Sequence, residues 1–192
     1  MKKIISLFMR NYDGDRKVRD ELTAGAEWVA EGEGLATRKW DGIAVMVEAG
    51  AVFKRYDAKT GRTPPANFVP AQPSPDPVSG HWPGWVPADG PDSRYIQEAV
   101  ERAKRTQYLT GIPDGTYEVC GPRIGTRHGA NPERLAEHIL VPHGADVLED
   151  CPRTFEGLLA YLKDKPIEGI VWHHTDGRKV KIKKADFPAV LS

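Results

Sequence analysis

The sequence contains 192 residues with a mass of 21.3 kDa, which is long enough for one substantial domain and a core that can support an enzyme. Lysine and arginine together number 27, as do aspartate and glutamate, and this balance excludes a protein that attracts nucleic acid through a strong net positive charge. The two cysteines, Cys120 and Cys151, have no C-x-x-C spacing and argue against a disulfide framework or a structural zinc site. We therefore expect a protein of the reducing cytoplasm.

An apolar run near the N terminus covers residues 4–9 and ends at Arg10. The charge comes too early for the apolar region of a signal peptide or for a membrane span. We interpret the run as a first strand and expect no association with a membrane. Three β-prone runs follow and predict strands over 34–40, 43–48 and 51–56.

Residues 63–92 are rich in proline and glycine and also contain two tryptophans. Because a disordered linker rarely contains two tryptophans, this pattern predicts an ordered loop or lid. A stripe of apolar residues then predicts a helix over 93–106. A second helix is predicted from a Thr154 cap to about Lys163.

The last predicted element is a hairpin that turns at 175–177. Its second strand begins Val180-Lys181-Ile182-Lys183, and this alternation places both lysines on one face. Two ammonium groups on one face repel each other unless an anion lies between them. The alternative is an exposed strand face, or an edge strand that its lysines protect from pairing. Together with the helices, these strands predict a mixed α and β fold with antiparallel sheets.

A K-x-D-G motif, formed by Lys39-Trp40-Asp41-Gly42, lies at the end of the strand predicted over 34–40. About 0.04 such motifs are expected by chance in a chain of this length, so the motif alone suggests a function without deciding it. The alternative is a strand that ends in an Asp-Gly turn, which is common in hairpins.

Two further runs place a carboxylate among apolar, β-prone residues. Glu118 lies within 116–121, and Glu168 lies within 167–172. Charged side chains in such surroundings are retained when they are paired or bound to a metal. The two carboxylates are therefore candidates for ion pairs or for metal binding.

Taken in order, these motifs resemble those of the covalent nucleotidyltransferases, a superfamily of ATP-dependent RNA ligases, DNA ligases and capping enzymes. The corresponding residues are Lys39 to Gly42 for motif I, Glu118 for motif III, Glu168-Gly169 for motif IV, and Lys181 with Lys183 for motif V. The resemblance extends from about Glu27 to Phe187. The segments K-W-D-G, E-G-I-V-W-H-H and V-K-I-K-K-A-D-F more closely resemble a small single-domain family of RNA ligases from animals and microbes.

The resemblance implies an α+β fold, namely a single nucleotidyltransferase domain over 1–192 with antiparallel sheets flanked by helices. The sequence stops a few residues after motif V, so we expect no C-terminal oligonucleotide-binding (OB) domain and no motif VI. DNA ligases and capping enzymes use both to complete their first step, which makes those two enzymes weaker alternatives. A nucleotide- or RNA-binding module without turnover is a further alternative, although such a module has no need of the complete set of motif residues.

The same resemblance implies that Lys39 attacks the α-phosphate of ATP and becomes adenylylated. The AMP then passes to an RNA 5′-phosphate, and an RNA 3′-hydroxyl displaces it, which joins the two RNA ends and suits RNA repair. A lysine is mostly protonated at neutral pH, and positive charge from Lys181, Lys183 and Mg²⁺ favours the nucleophilic free amine. These three lysines and Arg55 are the predicted catalytic residues. RNA with those ends is the expected partner, and no obligate protein partner is implied.

Ten residues are predicted to bind the nucleotide. They are Lys39, Asp41, Gly42, Arg55, Arg62, Glu118, Glu168, Ile170, Lys181 and Lys183. Of these, Glu118, Glu168 and Asp41 are also predicted ligands of Mg²⁺, or of Mn²⁺ in its place, because Mg²⁺ keeps several waters and takes few carboxylates. Gly42 is expected to allow a close approach of the backbone.

Some of these assignments have alternatives that the sequence leaves open. Asp41 can simply fix the turn, and Arg62 can be a solvated loop residue, whereas Arg55 suits forked contacts with phosphate. Ile170 and Val171 point to opposite faces of a strand, so one of the two can offer an aliphatic face to adenine.

Overall fold

The computed structural model describes residues 2–77, 79–124 and 133–188, which form two compact units. One unit contains Met1–Lys3 and Asp41–His143, and the other contains Ile4–Trp40 and Gly144–Ser192. We call them the six-stranded unit and the four-stranded unit after their main sheets. The boundary in the chain falls inside the K-x-D-G motif.

The described residues form both strands and helices, and the predicted α+β composition is confirmed. The strands are β1 (Ile5–Ser6), β2 (Phe8–Arg10), β3 (Val18–Leu22), β4 (Leu35–Lys39), β5 (Ile43–Glu48), β6 (Ala51–Ala58), β7 (Val69–Pro70), β8 (Trp82–Pro87), β9 (Gly115–Cys120), β10 (Ile139–Pro142), β11 (Gly169–His173) and β12 (Lys179–Lys183). The α-helices are α1 (Glu27–Ala30), α2 (Arg94–Thr106) and α3 (Phe155–Lys163). None of these helices has the length and the hydropathy that a membrane crossing requires.

The six-stranded unit is built on an antiparallel sheet with the strand order β10-β9-β5-β6-β8-β7. The apolar stripe of α2, which includes Ile96 and Val100, forms one hydrophobic core with Val45 and Val119 on one face of this sheet. Full burial of each such Ile or Val side chain stabilises the fold by about 1.5–3 kcal/mol. Because side chains alternate along a strand, Glu118 lies on the opposite face of the sheet.

The four-stranded unit contains a sheet with the order β1-β12-β11-β4, in which β1 is parallel to β12 and the other neighbours are antiparallel. One face packs against α1 and α3. The buried sheet residues of this core are Ala36, Ile170, Trp172, Val180 and Ile182. The opposite face carries Lys39, Lys181 and Lys183, so the prediction that both lysines of motif V share a face is confirmed.

Both predicted helices are present, with bounds close to those expected. A short 3₁₀ helix (Pro91–Ser93) precedes α2, and Thr154 caps α3 by accepting a hydrogen bond at its Oγ1 from the Gly157 amide at 3.2 Å. The first residue of α3, Phe155, packs edge-on against Phe8, with ring centroids 5.2 Å apart. The helix is therefore anchored in the core of the four-stranded unit.

The segment 63–92, predicted as an ordered loop or lid, also contains two strands, β7 and β8, which the sequence analysis did not predict. The sequence of β8, W-P-G-W-V-P, contains the prolines and the glycine that favoured a loop. The Pro83 carbonyl accepts a hydrogen bond from the Ala71 amide on the β7 side. The ring nitrogen of Pro83 therefore also faces β7. Because this nitrogen does not face β6, its missing N–H removes no hydrogen bond between β8 and β6.

The N-terminal strand predicted over 4–9 is divided in two. Ser6 ends β1, which pairs with β12, and Phe8 begins β2, which pairs with β3. The intervening Leu7 is fully buried, and its amide donates to the Lys181 carbonyl at 2.8 Å. A continuous apolar run thus serves two sheets, which its sequence alone does not reveal.

Candidate active site

Lys39, the proposed nucleophile, is the last residue of β4, and its ammonium forms an ion pair in the four-stranded unit. Its Nζ lies 2.5 Å from Glu168 Oε2, and the two side chains are 20% and 15% exposed. The other oxygen of the same carboxylate, Oε1, is paired with Lys183. Glu168 therefore bridges two ammonium groups, which is the anion that lysines on one face require.

The register of the sheet explains why these three side chains meet. Gly169 pairs with Lys39 on β4 and with Lys183 on β12, so the two lysines flank a residue that has no side chain. A Cβ atom at this glycine would lie 2.1 Å from the Ile182 carbonyl oxygen, too close for any other residue. Glu168 thus supplies the carboxylate that pairs with both lysines, and Gly169 leaves room between them.

Lys181 lies one row further along the same face, where it pairs with Val171. Burial lowers the pKa of Lys181 to about 8, and the positive charges of Lys183 and Lys39 add to this effect. The carboxylates of Glu168 and Asp186 act in the opposite direction. Near neutral pH the face holds an ammonium group that is easily deprotonated.

The placement of Ile170 corrects its predicted contact with adenine. Ile170 is fully buried in the hydrophobic core, on the face of the sheet opposite to Lys39. Val171 is partly exposed and shares the face of Lys39 and Lys181. Because side chains alternate along the strand, burial of Ile170 in the core leaves Val171 on the face that carries the lysines.

Glu118 of motif III belongs to the six-stranded unit, where both of its oxygens are engaged. It is 9% exposed; Oε1 accepts a hydrogen bond from the Gly42 amide at 3.1 Å, and Oε2 lies 2.9 Å from Nε2 of His143. His143 was missed by the sequence analysis. The local sequence signal is the position of His143 at the end of an apolar run, two residues after Val141. The structure shows that Val141 pairs with Glu118.

The Asp-Gly dipeptide of motif I is held by two carboxylates of the same unit. The Asp41 amide donates to Glu133 Oε1 at 2.8 Å, and the Gly42 amide donates to Glu118. A Cβ atom at Gly42 would lie 2.2 Å from the Val119 carbonyl oxygen, so the close approach expected at this glycine is present. Glu133 was not among the predicted residues.

The two predicted arginines occupy different settings in the six-stranded unit. Arg55 lies on β6, with its Nε 3.0 Å from Asp57 Oδ1 and its guanidinium 5.9 Å from the centre of the Trp85 ring. Strand alternation places Arg55 on the same face as Glu118. Arg62 is exposed in a turn, as its alternative interpretation expected.

The structure therefore brings the predicted residues together in two sets. The four-stranded unit gathers Lys39, Glu168, Lys181 and Lys183 on one sheet face. The six-stranded unit gathers Asp41, Gly42, Glu118 and Arg55. Within the described ranges, no cluster of three or more His, Cys, Asp or Glu side chains forms a ready-made metal site.

Parts of the chain are similar to known RNA ligases. Residues 106–188 match the family model described as RNA ligase 1. The chain is 28% identical over 141 residues to RNA ligase 1 of Pongo abelii, which covers 60% of this chain and 43% of that protein. It is 30% identical over 142 residues to RNA ligase 1 of Mus musculus, which covers 59% of this chain and 42% of that protein.

A third relative, RNA ligase 1 of Danio rerio, is 28% identical over 130 residues, which covers 55% of this chain and 40% of that protein. The match thus spans less than half the length of each of these curated relatives. Over part of its length, the chain is therefore similar to proteins named RNA ligase 1.

Proposed function

We propose that this chain is an ATP-dependent RNA ligase that joins RNA 5′-phosphate and 3′-hydroxyl ends through a lysine–AMP intermediate. The observation that carries the proposal is the Lys39–Glu168–Lys183 ion-pair bridge, with Lys181 beside it on one sheet face. Similarity to proteins named RNA ligase 1 supports the same activity.

In the first step, the free amine of Lys39 forms a bond with the α-phosphorus of ATP, and the bond from that phosphorus to pyrophosphate breaks. Only the free amine is a nucleophile, and the Lys39 nitrogen is paired with Glu168, so this pair must open before attack. Lys181 and Lys183 supply positive charge where the phosphate becomes more negative. The contribution of these two lysines is electrostatic.

The donor set fits Mg²⁺ or Mn²⁺, because carboxylate oxygens are the protein ligands that these hard cations prefer. Glu168 is already neutralised by two ammonium groups, one of which a divalent cation can replace. Glu118 and Asp41 are the candidate ligands of the six-stranded unit. When bound, the metal supplies Lewis-acid stabilisation of phosphate charge.

The later steps require residues that bind the nucleotide and the RNA. Val171 offers an aliphatic face to adenine from the lysine face, in the role first predicted for Ile170. Arg55 is proposed to contact phosphate, which its forked guanidinium suits once Asp57 releases it. The AMP then passes to the RNA 5′-phosphate, and the RNA 3′-hydroxyl attacks that phosphate and expels AMP.

A cytoplasmic location is proposed as well. Cys120 and Cys151 form no disulfide with each other, and Cys120 is buried. Burial raises the pKa of the Cys151 thiol to about 11, so it is an unreactive thiol at neutral pH. Cysteines that form no disulfide suit a reducing compartment.

The proposed function is tested by the intact mass of the protein after incubation with ATP and Mg²⁺, with Lys39→Ala as the matched variant. We expect a gain of one AMP in the parent only. Addition of 5′-phosphorylated RNA should discharge it, whereas the same RNA with a 5′-hydroxyl should not. A folded parent that gains no mass contradicts the ligase and favours a nucleotide- or RNA-binding module without turnover.

A further inference from the structure

The Glu118 carboxylate is almost fully buried and yet makes no ion pair with a lysine or arginine among the contacts described above. Its two close partners are a backbone amide, that of Gly42 at 3.1 Å, and an imidazole, that of His143 at 2.9 Å. A buried carboxylate needs donors on both oxygens, because each unsatisfied lone pair in an apolar setting destabilises the fold. His143 is therefore one of the two hydrogen-bond partners that hold the Glu118 carboxylate in its orientation.

The sheet explains how His143 reaches the carboxylate. Val141 is the direct partner of Glu118 across β9 and β10, and the His143 amide continues this ladder by donating to the Thr116 carbonyl at 3.0 Å. His143 is thus two residues beyond the direct partner and on the same face. Such diagonal neighbours lie within reach of long side chains. The contact follows from the pairing of β9 with β10, because His143 lies in the turn directly after β10.

His143 faces Glu118 through its ring nitrogen Nε2, at 2.9 Å. Its Nδ1 is buried, and no hydrogen-bond partner for it is found in the part of the chain that the structure describes. In a neutral imidazole one nitrogen donates and the other accepts. An ionised carboxylate only accepts, so a hydrogen bond to it requires the form of the imidazole with a proton on Nε2. A side chain that offers one donor at the same reach, such as glutamine, can replace this function.

We propose that His143 is a positioning residue for the nucleotidyl transfer step. It holds Glu118 in the orientation that accepts the Gly42 amide, and it thereby fixes the Asp-Gly backbone that follows Lys39 in motif I. This inference rests on the proposed ligase function for its catalytic consequence. Its structural consequence, an anchored Gly42 amide, stands on the geometry alone.

The test compares His143→Leu with His143→Gln. Loss of a residue that orients a functional carboxylate lowers activity or ligand affinity by about 10–100-fold. We expect that loss in the rate of lysine–AMP formation for His143→Leu and recovery to within about threefold for His143→Gln. The matched control is His138→Leu, because His138 is also a buried histidine paired with a carboxylate in the same unit, that of the exposed Glu98 at 2.8 Å. The control should leave the rate of lysine–AMP formation unchanged.

Hydrogen exchange of the Gly42 amide provides a readout that does not depend on activity. We expect faster exchange at this amide in His143→Leu, with parental exchange in His143→Gln and in His138→Leu. If His143→Leu does not fold, His143→Asn serves instead, because its donor is too short to reach Glu118.

The outcomes separate the inference from the proposed function. Folded His143→Leu with parental adenylylation and parental exchange overturns the inference, as does His143→Gln with the full defect of His143→Leu. A parent that forms no lysine–AMP contradicts the proposed function, and the Gly42 amide exchange then decides the positioning role by itself.

Discussion

Replacement of Lys181 by methionine should stabilise the fold while removing a catalytic charge. Burial and the neighbouring lysines lower the pKa of Lys181 from 10.5 to about 8. At about 1.36 kcal/mol per pKa unit, the buried ammonium destabilises the folded state by roughly 3 kcal/mol at neutral pH. Methionine has a similar length and no charge, so Lys181→Met should recover up to about 3 kcal/mol, or about 6–12 °C in Tm.

The sign of the pH dependence follows from the direction of the pKa shift. The folded-state pKa of Lys181 lies below the unfolded value, so the unfolded state binds more protons between pH 8 and pH 10.5. The stability of the parent therefore rises with pH across this window, as the penalty is relieved. The advantage of Lys181→Met should be full below pH 8 and should disappear towards pH 10.5.

Urea unfolding of the nucleotide-free protein at pH 7 and at pH 10 measures both effects. Lys163→Met is the matched control, since Lys163 is an exposed lysine on α3 and its replacement should change the free energy of unfolding by less than about 0.5 kcal/mol. The reasoning is refuted if Lys181→Met is less stable than the parent at pH 7. It is also refuted if the difference between the two proteins is the same at both pH values.

Three further predictions concern single positions. Gly169→Ala should slow lysine–AMP formation more than tenfold and lower stability by about 1–3 kcal/mol, because the new Cβ would lie 2.1 Å from a carbonyl oxygen of β12; parental rates would contradict this. Thr154→Ala should cost about 1 kcal/mol in urea unfolding through loss of the α3 cap, and an unchanged midpoint would contradict it. Hydrogen bonds to Glu33 and Asp176 raise the pKa of His174 above 6.5. The contribution of protonated His174 to the stability of the fold is therefore complete below pH 6.5, and it is lost as the pH rises through the higher pKa of the folded state. His174→Asn should therefore lower Tm more at pH 5.5 than at pH 9, and an equal loss at both would contradict the reasoning.

Local periodicity was sufficient for much of the lysine face. The alternation Val180-Lys181-Ile182-Lys183 predicts two ammonium groups on one side, and the run ending at Lys39 predicts a strand, although not its pairing with the distant β11. A short hairpin between motifs IV and V brings Glu168 to them. These features depend on residues close in sequence, which is why the sequence was informative about them.

The remaining features depend on pairing between distant residues. His143 meets Glu118 because β10 pairs with β9, and a single histidine at the end of an apolar run gives no sign of that partner. Alternation offered Ile170 or Val171 to the nucleotide but could not say which face packs against α1 and α3. The prolines of β8 suggested a loop because their tolerance depends on which neighbour each ring nitrogen faces.

The most direct test of the central claim is to identify which lysine carries AMP. The protein is incubated with ATP and Mg²⁺, digested, and mapped by tandem mass spectrometry for the adenylylated peptide. We expect AMP on Lys39 and its loss from that peptide on addition of 5′-phosphorylated RNA. AMP on Lys181, whose lowered pKa makes it the competing free amine, or on no lysine at all, would contradict the assignment of Lys39 as the nucleophile.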